Sequence, residues 1–433
     1  MVAGSMSRSL SHTSAEKAID FFHNARKLAE DLGLVGLIED DSFHGSTIIL
    51  HGQEVVNFGL CCYLGLGDDP RLVDAAVEAT RRFGNSYSSS IAYTALPHYG
   101  RLRDRLEAML GAPVLVAAST TLAHMAALPV LVRSGDLVVV DALAHASLLS
   151  VLPTLQANGA EVVQARHNDL ASVSEHVEAA DGRAWYVHDG LYSMRGELAP
   201  AEEIRSLLDT YPNLWVYCDD AHGFGWSGSK GRGSFLERAG WHERLVMAYG
   251  MAKSFGTMGG IVATPDAGLI HLIETTGGPM VFGGPLPPAT LAASVASADI
   301  HLSDELPVLQ SELLESIRYV NSFAKQIGLP LAAKDETPLW FVEIGQSMAA
   351  ISTAAAMRKR GFYLNAAVFP VVPRRKAGLR FTITRYHDRN QIESMLTALN
   401  ELRLEFAGPD EVIDLTALED EGSSVIPETA KGD

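Results

Sequence analysis

The sequence is poor in cysteine. It holds three, Cys61, Cys62 and Cys218, in 433 residues. So small a number cannot form the disulfide framework of a small secreted domain, and no set of cysteines and histidines has the spacing of a zinc finger. We therefore expect no metal site and a reducing, cytoplasmic location.

Long apolar runs are missing as well. The N-terminal segment is short and polar, and it lacks the continuous apolar core of a signal peptide. Nowhere do about 18 apolar residues follow one another, which is the length that a membrane-spanning helix needs. We expect no membrane span.

Basic residues are few relative to acidic ones. The chain has 34 lysines and arginines against 52 aspartates and glutamates, a formal net charge of −18. Because nucleic-acid phosphates require a concentrated positive field, this balance argues against a nucleic-acid partner. With 47% hydrophobic and 20% charged residues, the composition is that of an ordinary globular protein, and its length exceeds one average domain.

What the sequence does contain is a series of short apolar runs that alternate with helical segments between residues 114 and 263. Continuous apolar runs are typical of strands buried on both faces, as in the parallel sheet of an α/β domain. A long amphipathic helix over about 289–327, bent or interrupted near Asp304, and a smaller α+β segment follow. We predict four parts: an N-terminal arm with a helix over 15–34 (1–55), a large domain (56–290), a smaller C-terminal domain (291–407) and an acidic disordered tail (408–433).

Chemically active side chains stand where several of these apolar runs end. His145, Asp189, Asp219, His222 and Lys253 each follow one of them. Ligands of open parallel sheets bind outside the carboxyl ends of the strands. We therefore expect these five side chains to converge on one crevice.

Lys253 follows the apolar run RLVMAYG and is flanked by small residues. Taken alone, it is as consistent with an ordinary surface lysine as with a nucleophile. A desolvated lysine amine is suited to Schiff-base formation, however, and Asp219 ends another apolar strand, where a buried carboxylate requires a cation. A protonated pyridine nitrogen is such a cation, so the two residues together point to pyridoxal phosphate (PLP).

The motifs around both residues carry a resemblance to a known family. They are Asp219-Asp220-Ala221-His222-Gly223-Phe224-Gly225 and Ala252-Lys253-Ser254-Phe255-Gly256. Further motifs follow in the same order over about residues 55 to 400: Tyr63-Leu64-Gly65-Leu66, His145-Ala146-Ser147-Leu148, His167-Asn168-Asp169, Tyr192-Ser193-Met194-Arg195-Gly196, Pro287-Pro288 and Gly378-Leu379-Arg380-Phe381-Thr382. The chain resembles the α-oxoamine synthases, fold-type-I PLP enzymes that include 8-amino-7-oxononanoate synthase, 2-amino-3-ketobutyrate CoA ligase and serine palmitoyltransferase.

The resemblance implies an α/β fold with a mostly parallel central sheet flanked by helices and a smaller α+β C-terminal domain. It also implies a catalytic set of Lys253, His145, Asp219 and His222. In that set Lys253 carries the cofactor as a Schiff base, Asp219 pairs with the pyridinium nitrogen and His145 stacks on the ring. His222, helped by Ser193, hydrogen-bonds the phenolic oxygen. Taken singly, either histidine would more often be a hydrogen-bonded core residue, but its place in these motifs favours function.

The remaining implied contacts concern the phosphate and the substrate. Asp189 joins the cofactor site, and Arg380 holds the carboxylate of the amino acid in a bidentate pair. Where the family has Asn before Tyr-Leu-Gly this chain has Cys61, and its glycine-rich loop has become Ser88-Ser89-Ser90-Ile91. We expect Cys61 and Ser88 to line an unusual substrate pocket.

The phosphate site also departs from the family pattern. The usual Ser-Gly-Phe and Asn at the start of the first large-domain helix are Ser119-Thr120-Thr121 and His124 here. Gly250 replaces the hydroxyl residue three positions before the lysine, and Gly283 and Gly284 replace hydroxyl residues that reach the phosphate from the partner subunit. Our hypothesis is that Ser119, Thr120 and Thr121 compensate, with backbone N–H groups of that helix start binding the dianion.

The reaction that the resemblance implies is the decarboxylating condensation of an amino acid with an acyl thioester, of coenzyme A or an acyl carrier protein, to an α-aminoketone. The alternative is another PLP reaction on the same fold: transamination, aldol cleavage or simple decarboxylation. A non-catalytic partner subunit is disfavoured because Lys253, Asp219 and His222 are present. The family further implies a homodimer.

Overall fold

The computed structural model describes residues 23–24, 26–369, 371–373 and 375–406. The predicted acidic tail, 408–433, lies outside the described residues, as does the first part of the helix predicted over 15–34. Within that predicted helix, residues 26–31 are helical. Across the described part of the chain, no helix combines the length and the apolarity that crossing a membrane requires.

The strands are short, and most of them are apolar. In chain order they are β1 Thr47–Leu50, β2 Gln53–Asn57, β3 Val114–Ala117, β4 Leu137–Asp141, β5 Glu161–Ala165, β6 Ala184–Asp189, β7 Leu214–Asp219, β8 Leu245–Gly250, β9 Gly260–Ala263, β10 Leu339–Gly345, β11 Phe362–Tyr363, β12 Asn365–Ala367 and β13 Ala377–Thr382.

Helices separate most of these strands. They are α1 Pro70–Phe83, α2 Pro97–Leu110, α3 Thr120–Leu131, α4 Ala146–Leu149, α5 Leu152–Ala157, α6 Leu170–Ala179, α7 Ala201–Thr210, α8 Ser234–Ala239, α9 Ala267–Thr276, α10 Gly278–Phe282, α11 Pro288–His301, α12 Leu306–Gln326, α13 Ser347–Lys359 and α14 Arg389–Phe406. The long helix predicted over 289–327 is thus two helices, α11 and α12, and the break falls next to Asp304.

A seven-stranded sheet forms the centre of the fold, with the order β3-β9-β8-β7-β6-β4-β5. Strands β5, β4, β6, β7 and β8 are parallel to their neighbours, whereas β9 is antiparallel to both β8 and β3. Every residue of β4, β6 and β8 is buried, because helices cover both faces of such a sheet. The prediction of a mostly parallel α/β sheet is confirmed.

Contacts divide the chain into two compact units. One comprises Met1–Phe58, Val342–Leu379 and Ser394–Asp433; the other comprises Gly59–Phe341 and Arg380–Glu393. The first unit contains the small sheet β1-β2-β11, in which β1 is antiparallel and β11 parallel to β2. The predicted C-terminal domain included helices α11 and α12. In the structure both fall in the second unit, where α11 packs on α1 and α2. The predicted domain bounds stay predictions: 1–55, 56–290 and 291–407.

A cluster of charged side chains forms where β4 and β5 end. His167 places Nδ1 3.0 Å from Oδ1 of Asp141 and Nε2 3.0 Å from Oε2 of Glu197. The backbone N–H of Asn168 donates to the other oxygen of Asp141, at 2.8 Å. Burial by itself would lower the pKa of His167, but its hydrogen bonds to the two carboxylates raise that pKa to about 9. The His167-Asn168-Asp169 motif therefore fastens two strand ends, at a distance from the predicted catalytic groups.

The raised pKa of His167 makes the stability of the fold depend on pH. Because the folded-state pKa, about 9, lies above the ordinary value of 6.5, the stabilisation is complete below 6.5 and is lost as pH rises through 9. We predict that His167→Gln lowers the free energy of unfolding at pH 6 and 7, and that the difference from the wild type shrinks between pH 8 and 10. Urea unfolding across this range measures it.

A control for His167→Gln is His271→Gln on the exposed surface of α9, which should leave the unfolding midpoint unchanged at every pH. A loss of stability in His167→Gln that stays constant from pH 6 to 10 would contradict the ionic assignment. Such a result would mean that the side chain stabilises the fold by packing alone.

Candidate active site

A cavity of about 200 Å³ lies outside the carboxyl ends of the parallel strands. It contains eight of the residues singled out from sequence: Ser119, Thr120, Thr121, His145, Asp189, Asp219, His222 and Lys253. Ser147, Leu191, Ala221, Ala252, Met258 and Gly259 complete its lining. The expected convergence of strand-end side chains on one crevice is confirmed.

The sheet register sets two carboxylates side by side. Asp189 ends β6 and Asp219 ends β7, and the two are paired across the parallel ladder. Both are buried. Burial raises the pKa of Asp189 well above its usual range, and the nearby charge of Asp219 raises it further. Two adjacent carboxyl groups cannot both ionise cheaply, so Asp189 is the one that keeps a proton.

Asp219 is the ionised member of the pair. Burial alone would raise its pKa, but the interaction with His124, which includes a hydrogen bond from the imidazole, and the charge of Lys253 outweigh burial and hold the pKa below its ordinary value. Its Oδ1 accepts the backbone N–H of Ala221 at 3.0 Å. The result is a fixed negative charge at the end of the most buried part of the sheet.

His145 and His222 approach the cavity from different loops. His145 is exposed at the mouth of the cavity, and its Nδ1 lies 2.7 Å from the hydroxyl of Ser147. Partial loss of water around the ring lowers the pKa of His145. His222 is buried, and burial, followed by the charges of Lys253 and Arg380, depresses its pKa well below the ordinary value. Both imidazoles are therefore neutral at pH 7.

The start of helix α3 forms one wall. Ser119 caps the helix by accepting the backbone N–H of Leu122 at 3.2 Å, and the first-turn N–H groups have no intrahelical partner. Gly260 at the start of β9 lies directly against this turn, since a Cβ there would come within 2.4 Å of the carbonyl oxygen of Ser119. A helix N-terminus held in this way is a ready site for an anion.

Gly250 and Thr120 share one space. A Cβ added to Gly250 would lie 2.8 Å from Oγ1 of Thr120 and 3.1 Å from Cβ of Ala221. The threonine hydroxyl thus occupies the place of a side chain at position 250. The same hydroxyl lies 3.4 Å from the carbonyl oxygen of Tyr249, to which it donates.

Four predicted site residues lie outside the cavity. Arg380 is buried, donates from Nε to the carbonyl oxygen of Ser193 at 2.6 Å, and places one terminal nitrogen 3.7 Å from Sγ of Cys61. Arg380, Ser193 and Cys61 therefore form a cluster of their own. Ser88 lies in a separate pocket of about 160 Å³ beside Pro285–Pro288, and its hydroxyl donates to the carbonyl oxygen of Ser90.

Tyr63 connects the arginine cluster to the cavity. Its hydroxyl is 2.8 Å from Nδ1 of His222, and it also contacts the guanidinium of Arg380. No sequence motif had assigned a role to Tyr63.

The pair His124 and Tyr217 was also missed from sequence. Nε2 of His124 lies 2.9 Å from Oδ2 of Asp219, and its Nδ1 lies 2.9 Å from the hydroxyl of Tyr217. The sequence signal that could have pointed to His124 is a lone histidine within an apolar helix.

The donor set suits PLP. The cavity offers an amine at Lys253, a fixed carboxylate at Asp219, an exposed aromatic ring at His145 and an anion-binding helix start. PLP has a counterpart for each of them, in the same order: an aldehyde, a protonated ring nitrogen, a planar ring and a phosphate.

Comparison with known proteins places this site in a family. The sequence pattern described as aminotransferase class I and II matches residues 53–399. The 8-amino-7-oxononanoate synthase of Stutzerimonas stutzeri is 33% identical over 362 residues, 82% of this chain and 90% of the relative. That of Symbiobacterium thermophilum is 32% identical over 356 residues, 81% and 88% of the two chains.

A solved structure shares the fold. Serine palmitoyltransferase from Sphingomonas wittichii superposes with a TM-score of 0.83 at 21% identity, over 92% of this chain and 99% of that one. The chain belongs to the aminotransferase class I and II family and, within it, to the α-oxoamine synthases, which are PLP-dependent acyltransferases.

Proposed function

We propose that this protein condenses an amino acid with an acyl thioester, of coenzyme A or an acyl carrier protein, and releases thiol and CO2 to leave an α-aminoketone. One observation carries the proposal: Lys253, ionised Asp219 and the start of α3 border the same cavity. The relatives named 8-amino-7-oxononanoate synthase support this reaction type.

The residues of the cavity divide the work of holding PLP. The amine of Lys253 would hold the aldehyde, and the negative charge of Asp219 would favour a proton on the ring nitrogen. His145 would pack against the ring. His222, oriented by the hydrogen bond to Tyr63, would serve the phenolic oxygen. The first turn of α3, with Thr120 and Thr121, would bind the phosphate.

PLP supplies an electron sink for the carbanion at the α-carbon of the amino acid. The chain would supply the proton transfers, with the amine of Lys253 as the base for the α-proton of the amino acid. The α-carbon then forms a bond to the thioester carbonyl while the C–S bond breaks. The bond to the carboxylate carbon breaks next, CO2 leaves, and a proton returned to the α-carbon completes the aminoketone.

Arg380 is the group that we assign to the substrate carboxylate. Its guanidinium is buried, and its Nε is held by the carbonyl oxygen of Ser193, so its orientation is fixed before substrate binds. A planar guanidinium binds a carboxylate through two parallel hydrogen bonds, which an ammonium cannot do. Cys61 lies beside the guanidinium, in the position where the family has an Asn. This difference supports the use of a different amino acid as substrate.

The reaction is tested with purified protein loaded with PLP. Amino acids are offered with an acyl-CoA, and free thiol, CO2 and aminoketone are measured together. We predict equal yields of the three products. Before any amino acid is added, Lys253→Ala should lack the absorption band of the Schiff base between PLP and the protein. For Arg380→Lys we predict a KM for the amino acid raised by about tenfold or more, because a bidentate charged contact is lost.

Other product ratios would contradict the proposed reaction. Thiol without ketone would indicate hydrolysis of the thioester, and transfer of the amino group to a keto acid would indicate transamination. A protein Schiff-base band that survives in Lys253→Ala before amino acid is added would overturn the assignment of the lysine.

The exchange of hydroxyl position between Gly250 and Thr120 gives a second test. We predict that Thr120→Ala weakens PLP binding by about tenfold to a hundredfold, since a hydrogen bond to a charged group contributes about 1.5–3 kcal/mol. Adding Gly250→Thr to Thr120→Ala should restore part of the affinity, because Thr120→Ala removes the nearer of the two atoms that a Cβ at position 250 meets and leaves Cβ of Ala221 at 3.1 Å. Fluorescence titration with PLP measures both.

Gly250→Thr alone is the matched control for this exchange. It should bind PLP poorly, since its Cβ meets the Thr120 hydroxyl at 2.8 Å. Unchanged PLP affinity in the double variant Thr120→Ala/Thr121→Ala would sink the hypothesis that this turn holds the phosphate.

We also propose that the protein acts as a homodimer in the cytoplasm. The side chains of Phe282 and Tyr93 are 88% and 83% exposed. They belong to neighbouring segments, since the hydroxyl of Ser90 donates to the carbonyl oxygen of Val281 at 2.7 Å. Exposed aromatic side chains gathered in one place are typical of a protein interface.

Sedimentation equilibrium tests the dimer. We predict a mass of twice the chain mass of 46.5 kDa for the wild type and a shift toward the single-chain mass for Phe282→Ser/Tyr93→Ser. Val308→Ser on α12, which also replaces an exposed apolar side chain, is the control and should leave the mass unchanged. A single-chain mass for the wild type would refute the dimer.

A further inference from the structure

His124 is a fully buried imidazole in an otherwise apolar helix. It lies in α3, whose sequence TTLAHMAALPVL is mostly alanine and aliphatic residues, and its exposure is 0%. A buried polar ring is destabilising unless its nitrogens are hydrogen-bonded. The partners of the two nitrogens therefore indicate what the histidine is for.

The two nitrogens of His124 have different partners. Nε2 lies 2.9 Å from Oδ2 of Asp219, an ionised oxygen that carries no hydrogen, so Nε2 must donate. Nδ1 lies 2.9 Å from the hydroxyl of Tyr217, which donates to it when the imidazole is neutral. For a neutral imidazole the chain of hydrogen bonds has one direction, from Tyr217 to His124 to Asp219.

This chain of hydrogen bonds completes the support of Asp219. Oδ1 accepts the backbone N–H of Ala221, so each carboxylate oxygen is held by a donor that comes from a different element. The charged groups around Asp219 include Asp189 from β6, Lys253 after β8, His145 after β4 and the neighbouring Asp220. Of these, Asp189 and Asp220 act against the negative charge. Without His124, the carboxylate would lose a buried donor and keep the competing acids.

We propose that His124, fixed by Tyr217, is a positioning residue that keeps Asp219 ionised and oriented for the protonated ring nitrogen before PLP binds. The inference rests on the proposed function, because it assumes that Asp219 meets that nitrogen. His124 itself does not touch the cofactor in this assignment. It acts through the carboxylate, in a position where the family pattern has an asparagine.

The test compares PLP with 1-deazapyridoxal phosphate, in which a C–H replaces the ring nitrogen. We predict that His124→Leu weakens PLP binding by about tenfold to a hundredfold, the effect of losing a hydrogen bond to a charged group. Binding of the deaza analogue should change by less than about threefold, since that analogue offers Asp219 no proton. Equilibrium dialysis with each cofactor gives the two ratios.

Two further variants separate positioning from packing. His124→Gln keeps an N–H donor at a similar reach and should recover most of the PLP affinity. Tyr217→Phe removes only the hydrogen bond to Nδ1 of His124 and should weaken PLP binding by about threefold. An equal loss of affinity for PLP and for the deaza analogue in His124→Leu, or failure of His124→Gln to recover, would overturn the proposal. Either result would mean that the histidine only fills space.

A measurement on the wild type avoids any doubt about folding of the variants. In the cofactor-free protein labelled with ¹⁵N-histidine, we predict a hydrogen on Nε2 of His124 and an Nδ1 that accepts a hydrogen bond. A hydrogen on Nδ1 alone would refute the assigned chain. Failure of the wild type to bind PLP at all would remove the proposed function instead, and the NMR result would still decide the hydrogen-bond chain.

Discussion

The site depends on one buried carboxylate staying ionised beside another. Parallel pairing of β6 and β7 sets Asp189 and Asp219 next to each other at the end of the sheet. Two adjacent carboxyl groups separate in pKa according to their donors. Asp219 receives donors from Ala221 and His124 and faces Lys253, whereas burial leaves Asp189 protonated. The negative charge at the end of β7 thus follows from the hydrogen bonds as much as from the residue type.

Close packing also shapes the cavity wall at the start of α3. The start of α3 lies against β9 because Gly260 has no Cβ, and the hydroxyl of Thr120 lies in the space that a side chain at position 250 would need. The side chain in this part of the cavity wall therefore comes from the first turn of a helix and not from the end of a strand.

The cluster around Arg380 lies outside the cavity but is connected to it. Arg380 in β13 is held by the Ser193 carbonyl and lies beside Cys61, while Tyr63 joins this cluster to His222. Ser88, predicted to line the same substrate pocket, lies in another pocket next to Pro285–Pro288. The hydrogen bond between Tyr63 and His222 therefore transmits a change in the Arg380 cluster to the cavity.

The sequence by itself determined the fold class and the main chemical groups. Continuous apolar runs predicted the parallel sheet, and the rule that ligands bind at strand ends brought His145, Asp219 and Lys253 together, because both signals are local in the chain. Only the tertiary structure showed that Ser88 lies elsewhere and that His124 reaches Asp219, 95 positions away along the chain. Such contacts depend on how a helix packs against a sheet. The residue spacing within one segment does not predict which residues of distant segments will meet.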